Sequence, residues 1–388
     1  MRLIVITVVG ITVQFEGKSM KQGLIWLSIL FSGLLLFAAC GNDDDSETGD
    51  DSSEASEVAA SPTPDATSLD DSAPAPEATA EPAPTPEPTP TPEPTPEPTP
   101  EAVGDSTFPR PECYEPRPSE EEHDLDLLPA EPRSLFQQCQ LIAYYGFPTE
   151  PLMGIVGEYE PEEMIRLLNE QVEEFEAHNG FRTAIPALEL IYAVAQGSQT
   201  EDGTFLARMS DEMVQQWIEI AEQHDLILIF DIQMGASTVE AEIEHLLPFL
   251  SHPRVHLALD PEFVTTPDTP PGLRIGGMEA SEINRAQHIL KDVVEEHDLP
   301  NKILMIHQFI PEMILNKDQI EDVPGIDLVI HQDGFGSPED KIANYDRYIA
   351  AEGAKHGGFK VFYQQDEPVM TPEELMQLTP QPDVITYQ

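Results

Sequence analysis

Eight short apolar runs punctuate the chain from residue 140 onward: QLIAYYGF (140–147), RTAIPALELI (182–191), LILIFDIQ (226–233), VHLALDPEF (255–263), KILMIHQF (302–309), IDLVIHQD (326–333), FKVFYQQD (359–366) and DVITYQ (383–388). Each has a short aliphatic centre, as expected of a parallel strand buried on both faces. Between the runs, apolar residues recur at helical spacing, and several stretches carry start signals. Ser237 to Glu240 reads as a capping box ahead of VEAEIEHLL, and Thr371, Pro372 and Glu374 form an N-cap, first-turn proline and capping acid ahead of LMQL. Ser337-Pro338 and Ser210 open two further helices in the same way.

Strand-then-helix repetition with right-handed crossovers leaves two architectures, a closed barrel or an open doubly wound sheet. No Gly-rich nucleotide loop follows the first run, and eight units over about 250 residues is the size of a (β/α)8 TIM barrel. The sequence therefore predicts an α/β barrel over 118–388. Its last run reaches Gln388, so a final helix is missing from the pattern, and apolar strand surface would be left bare. Residues 118–136, with LDLLPAEPRSLF, are expected to pack there or to plug the barrel floor.

Ahead of the barrel the pattern breaks down. From Met20 the chain reads as a signal peptide: Lys21, an apolar run from Leu24 to Phe37, then Ala38-Ala39-Cys40. It is too short and too abruptly ended for a stop-transfer anchor. The small residues before Cys40 resemble a bacterial lipobox, which implies lipidation of Cys40 as the mature N-terminus; an ordinary signal peptide or an N-terminal membrane anchor is the alternative. Residues 1–40 are thus an address, with Met20 a candidate start codon and 1–19 outside the signal plan. Residues 41–117 are a linker of Asp, Glu, Ser, Thr, Ala and Pro that includes the repeat PTPEPTPTPEPTPEPTPEP. Such a segment buries too little apolar area to offset its ordering entropy, and its proline part should be extended at roughly 3.1 Å per residue.

Composition narrows the partners. The chain has 388 residues, 72 acidic against 19 basic side chains, and a formal charge of −53. That balance excludes nucleic acid, which needs clustered Lys and Arg to displace counterions. It equally excludes attachment to anionic lipid through basic residues, so the membrane contact is expected through the Cys40 lipid. Neutral or cationic ligands, a glycan or a small molecule, suit the acidic surface, and a monomer is expected. Of the 3 cysteines, lipidation of Cys40 would leave Cys113 and Cys139. They either form a disulfide clipping the linker to the first strand, or remain a dangling and a buried thiol.

Candidate chemistry lies where a barrel places it, at the C-terminal ends of the strands. Those ends are polar nearly all round: Tyr144, Tyr145, Glu189, Asp231, Gln233, Asp260, Glu262, His307, Gln308, His331, Asp333, Tyr363, Gln365, Asp366, Tyr387 and Gln388. Any one of them could cap a helix, but a whole ring of buried polar groups is costly unless it has a use. The sharpest pair is Asp260 and Glu262. Two apart on a strand, they share a face with His256 and Ala258, while Val255, Leu257 and Leu259 face the helices. Crowded carboxyls separate their pKa values, so one can act as an acid while the other is ionised, the division that glycoside hydrolysis uses.

The strand-four DxE and the strand-one aromatic pair resemble barrel glycosidases of the chitinase and lysozyme type. That resemblance implies Glu262 as catalytic acid with Asp260 as its partner; the longer DxxDxDxE pattern is absent, since His256 and Ala258 stand before Asp260. Over more of the chain, IPALELIYAVA, LALDPEF, NRAQHIL, HQFIPEMI, VIHQDGFG and FYQQDEPVMTPEE resemble a family of secreted or lipid-anchored bacterial barrel proteins. This second likeness implies the fold and the anchor and names no reaction.

The first reading is a surface-anchored glycan hydrolase, with Asp231, Asp333 or Asp366 as nucleophile or water-positioning base. In it Tyr144, Tyr145, Tyr363, Tyr387, Glu189, Gln233, His307, Gln308, His331 and Gln365 hold the substrate. The second is a lipoprotein that binds a sugar or solute through the same mouth without turnover. The third is a metal-dependent hydrolase using His307, His331, Asp260, Glu262 and Asp333. Against it stands the absence of an HxH or HExxH motif, so the sequence itself calls for no metal or other cofactor.

Overall fold

The computed structural model describes residues 108–117 and 130–388, and the backbone of an antiparallel pair, Ile4–Val8 with Ile11–Phe15. Cys40, the signal segment from Met20 and the linker as far as residue 107 lie outside the described residues. Among the described residues no helix is long and apolar enough to cross a membrane.

The eight apolar runs form eight parallel strands: β1 (Cys139–Gly146), β2 (Thr183–Ala195), β3 (Ile227–Ile232), β4 (Val255–Leu259), β5 (Lys302–Gln308), β6 (Ile326–Gln332), β7 (His356–Val361) and β8 (Val384–Tyr387). Each pairs with its neighbours in sequence. β8 pairs with β1, Tyr387 opposite Tyr144, which closes the sheet into a TIM barrel. Closure gives each of these eight strands a parallel neighbour on both sides, and Leu206–Arg208 adds a short antiparallel pairing to the end of β2.

Helices α1 (Pro161–Glu176), α2 (Asp211–His224), α3 (Val239–Leu250), α4 (Ala280–His297), α5 (Pro338–Tyr345) and the one-turn α6 (Pro372–Leu375) wrap the outside. Ser210, Ser337 and Thr371 cap α2, α5 and α6, and Thr371 forms its capping box with Glu374. The start of α3 differs from the expected box. Thr238 is the N-cap, accepting from the Ala241 amide, while the Ser237 hydroxyl bonds Glu242. No α-helix lies between β5 and β6. Three-residue turns and a short parallel pairing of Ile314–Leu315 with Met278–Glu279 fill that connection instead.

Two apolar layers follow from strand alternation. Val255, Leu257 and Leu259 pack outward against the helices, whereas Ala258 joins Leu141, Ile185, Ile229, Ile303 and Met305 inside the barrel. The lower end of that inner layer is sealed by Leu135 and Phe136, both buried, with Cys113 and Cys139 joined in a disulfide. Burying each of those two large side chains stabilises by roughly 2–3 kcal/mol. The expected plug is thus present in residues 130–136, reinforced by the turn Pro111–Tyr114; residues 118–129 lie outside the described residues.

The floor also holds charge. His356 bonds Asp383 at 2.7 Å, Arg182 bonds Asp383 at 2.9 Å, and the His356 ring lies 4.9 Å from that of Phe136. Lys302, fully buried, donates to the carbonyls of His252 and Val255, and burial lowers its ammonium to about 7.

Candidate active site

The inward-facing positions at the upper ends of β1 to β7 bring one cluster of charges together. Tyr145 comes from β1, Glu189 from β2, Asp231 from β3, Asp260 from the residue after β4, His307 from β5, His331 from β6 with Asp333 just beyond it, and Lys360 from β7. All are buried. Glu262 completes the group from a different local structure. The chain leaves β4 at Leu259 and makes a 3-10 turn over Pro261–Phe263, for which Asp260 is the N-cap; its Oδ1 accepts from the Glu262 amide at 3.0 Å. Glu262 is half-buried above the cluster, so of the paired acids it is the one that solvent reaches.

Ion pairs organise the interior. Nδ1 of His307 lies 2.6 Å from Asp333 Oδ2, and its Nε2 lies 2.8 Å from Glu189 Oε1 and 3.9 Å from Asp231. The Lys360 ammonium sits 3.1 Å from the other Asp333 oxygen and 3.6 Å above the centre of the Tyr145 ring. Tyr145 donates to Asp231 Oδ2 at 3.1 Å. His331 stands beside His307, ring centres 5.2 Å apart, with neither nitrogen hydrogen-bonded. Its space is made by Gly358, where a Cβ would lie 2.1 Å from His331 Nδ1.

The carboxyls divide by partner. Burial would raise Asp333, but Lys360 and His307 outweigh it and hold Asp333 well below the usual range. Glu189 is likewise held down by His307 against its burial. Burial raises Asp231 to about 7. Asp260 is raised to about 6 by burial, with His307 offsetting part of the rise and Asp333 adding to it. Glu262 goes highest, to about 8, through burial and the charges of Asp260 and Asp333. His307 is held well above its ordinary value by the acids around it, despite burial, while burial drops His331 to about 3. Both members of the β4 pair are thus pushed upward, Glu262 further than Asp260, which favours Glu262 as the proton-carrying carboxyl of the two.

Several residues expected at the mouth are elsewhere. Tyr144 and Tyr387 face outward by strand alternation and pack with Phe175 under α1. Tyr363 stacks on Tyr387 and donates to Gln171 on α1. Gln308 faces the β5–β6 connection and accepts from Lys317 at 2.7 Å, and Gln233 accepts from the Ala195 amide at 2.9 Å. Strand β7 ends at Val361, sooner than its run suggests, so Gln365 is exposed in the following loop. Asp366 is buried there, bonded to Lys341 Nζ at 2.5 Å and to the amides of Phe362 and Gly336. It holds that loop and does not reach the cluster's ion pairs.

Lys360 is the site residue that motif reading passed over. Its signal was present: a lysine between Phe359 and Val361, on a strand otherwise buried on both faces, must point inward. Two surface depressions lie outside the cluster, one of about 400 Å³ beside Thr200–Asp202 and Leu206, another of about 280 Å³ between Gln215, Pro248 and His252.

No protein-family model matches the chain, and no curated protein matches it. Among solved structures it is similar to a putative alpha-L-fucosidase from Bacteroides thetaiotaomicron, at 9% identity and a TM-score of 0.32, covering 65% of this chain and 86% of that one. A likeness of that size carries no argument about chemistry. The barrel is established by the closure of its own strands.

Proposed function

We propose that this barrel hydrolyses glycosidic bonds in an extracellular or cell-wall glycan, carried on the outer face of a bacterial membrane by a lipid on Cys40. The observation that supports it is the Asp260–Glu262 pair at the end of β4: two carboxyls in one mouth, one buried and one reachable, both raised by burial and Glu262 raised further. Glu262 gives its proton to the glycosidic oxygen as the bond from the sugar carbon to that oxygen breaks. Asp260, as the carboxylate, takes a proton from the water that attacks that carbon, or attacks it directly; the configuration of the product distinguishes the two. Asp333 is already committed to His307 and Lys360, and Asp366 to Lys341, so neither is assigned the base.

The test is release of reducing ends by the full chain from a panel of neutral and amino-sugar glycans. Glu262→Gln should lower turnover by at least about 100-fold while leaving the fold intact by circular dichroism. A glycan that stabilises the protein but is never cleaved, equally in wild type and Glu262→Gln, would replace hydrolysis with binding. Movement of the Cys40→Ser protein from the membrane fraction to the medium tests the anchor.

A further inference from the structure

Near the Asp260–Glu262 pair, three donors from three strands converge, His307 paired with Glu189 and Asp231 beside them. Glu189, Asp231 and His307 each offer one atom within 4.8 Å of the other two, and all three side chains are fully buried. Both Glu189 oxygens, Asp231 Oδ1 and His307 Nε2 lack a hydrogen-bond partner. Glu189 Oε1 and His307 Nε2 face each other at 2.8 Å as an ion pair, so a metal ion bound here would displace the proton between them. Fully buried polar atoms of this kind are expensive to leave unmet.

The remaining atoms of the same side chains are oriented from behind. His307 turns Nδ1 to Asp333 at 2.6 Å, and Asp231 turns Oδ2 to the Tyr145 hydroxyl at 3.1 Å. A carboxylate behind a histidine is the arrangement that fixes a ligating imidazole. An independent feature points to the same place: His331, fully buried, has both ring nitrogens unpartnered beside His307, in space that only a glycine at 358 leaves open. Lys360 is engaged by Asp333 and stacked on Tyr145, so His307 is the cation that faces Glu189, and Glu189 Oε2 and Asp231 Oδ1 are left without a hydrogen bond.

We propose that Glu189, Asp231 and His307 form the seat of one divalent transition-metal ion, with His331 as a further nitrogen donor beside it. Two carboxylates with imidazole nitrogen suit Zn²⁺ or Mn²⁺ better than Mg²⁺ or Ca²⁺, which prefer an all-oxygen shell. The seat lies deeper in the barrel than Glu262, and the proposal does not depend on the glycan reading.

Full-length, tag-free protein stripped with EDTA and titrated with Zn²⁺, Mn²⁺ and Mg²⁺ by calorimetry tests it. One equivalent of Zn²⁺ or Mn²⁺ should bind, at least about 100-fold tighter than Mg²⁺, and raise the melting temperature. Glu189→Gln and Asp231→Asn should each weaken that binding by more than about 100-fold, and Asp333→Asn by about 10–100-fold. Glu262→Gln should bind as wild type does, even as it removes hydrolysis. If either ligand variant fails to fold, the absorption spectrum of the Co²⁺-loaded wild type decides, since nitrogen and carboxylate coordination gives visible bands that surface carboxylates do not. No binding at millimolar Zn²⁺ and Mn²⁺, unchanged affinity in a folded ligand variant, or a Co²⁺ spectrum of the hydrated ion would overturn the seat.

Discussion

At the scale of single residues, alternation along each strand decides which side chains reach the mouth. Tyr145 faces in and Tyr144 out; His307 faces in and Gln308 out. Both members of each pair are expected at the mouth from the sequence, yet one parity of each strand must meet the helices, so only one of the two can enter. What alternation does not give is a partner across the barrel. The Asp333–His307–Glu189 chain and the Lys360–Asp333 pair join residues far apart in sequence, and only closure of the sheet brings them together. Lys360 should be the keystone of these charges. Lys360→Met would leave Asp333 buried with a single cationic partner and should cost about 3 kcal/mol, as removal of one member of a buried pair does. Urea denaturation checks this; a loss below about 1 kcal/mol would mean that the pair is not truly dehydrated.

Elements set how far each strand carries its residues. The run around 359–366 suggested a strand reaching Asp366, yet β7 stops at Val361, and this moves the mouth position on that strand back to Lys360. The apolar pattern continues through Phe362, so periodicity alone had no stop signal there. Glu262 illustrates the opposite case: a proline at 261 ends β4 and starts a turn, and the side chain still comes over the cluster. At the other end, the plug was legible from its apolar residues and from the odd cysteine count, but its second half at 108–117 was not. That segment reads as linker by composition and is held by the disulfide, by Arg117 on the carbonyls of Phe136 and Gln137, and by Arg110 on Asp225. Replacing Cys113 and Cys139 by serine together should lower stability by about 3 kcal/mol, from the entropy of the loop they close. Thermal unfolding with and without reductant gives the same comparison on the wild type. No difference between oxidised and reduced protein would show that the plug holds by packing alone.

For the molecule as a whole, an acidic barrel concentrates its own carboxyls at one end and neutralises them with few cations. Five acids share the mouth with Lys360, His307 and a neutral His331, so protonation must absorb part of the excess charge. The sign of the resulting pH dependence follows directly. Activity through a protonated Glu262 is lost as pH rises through about 8, and activity through an ionised Asp260 is lost as pH falls through about 6. Titration of carboxyl carbons by NMR, in protein labelled at Asp and Glu side chains and kept in EDTA, measures this without knowledge of the substrate. Glu262→Gln identifies the Glu262 signal by its disappearance. This carboxyl should titrate near 8 and an Asp260 signal nearer 6, so that acid and base coexist at neutral pH. Both carboxyls titrating below about 5 would contradict it, because the mouth would then hold two carboxylates and no acid.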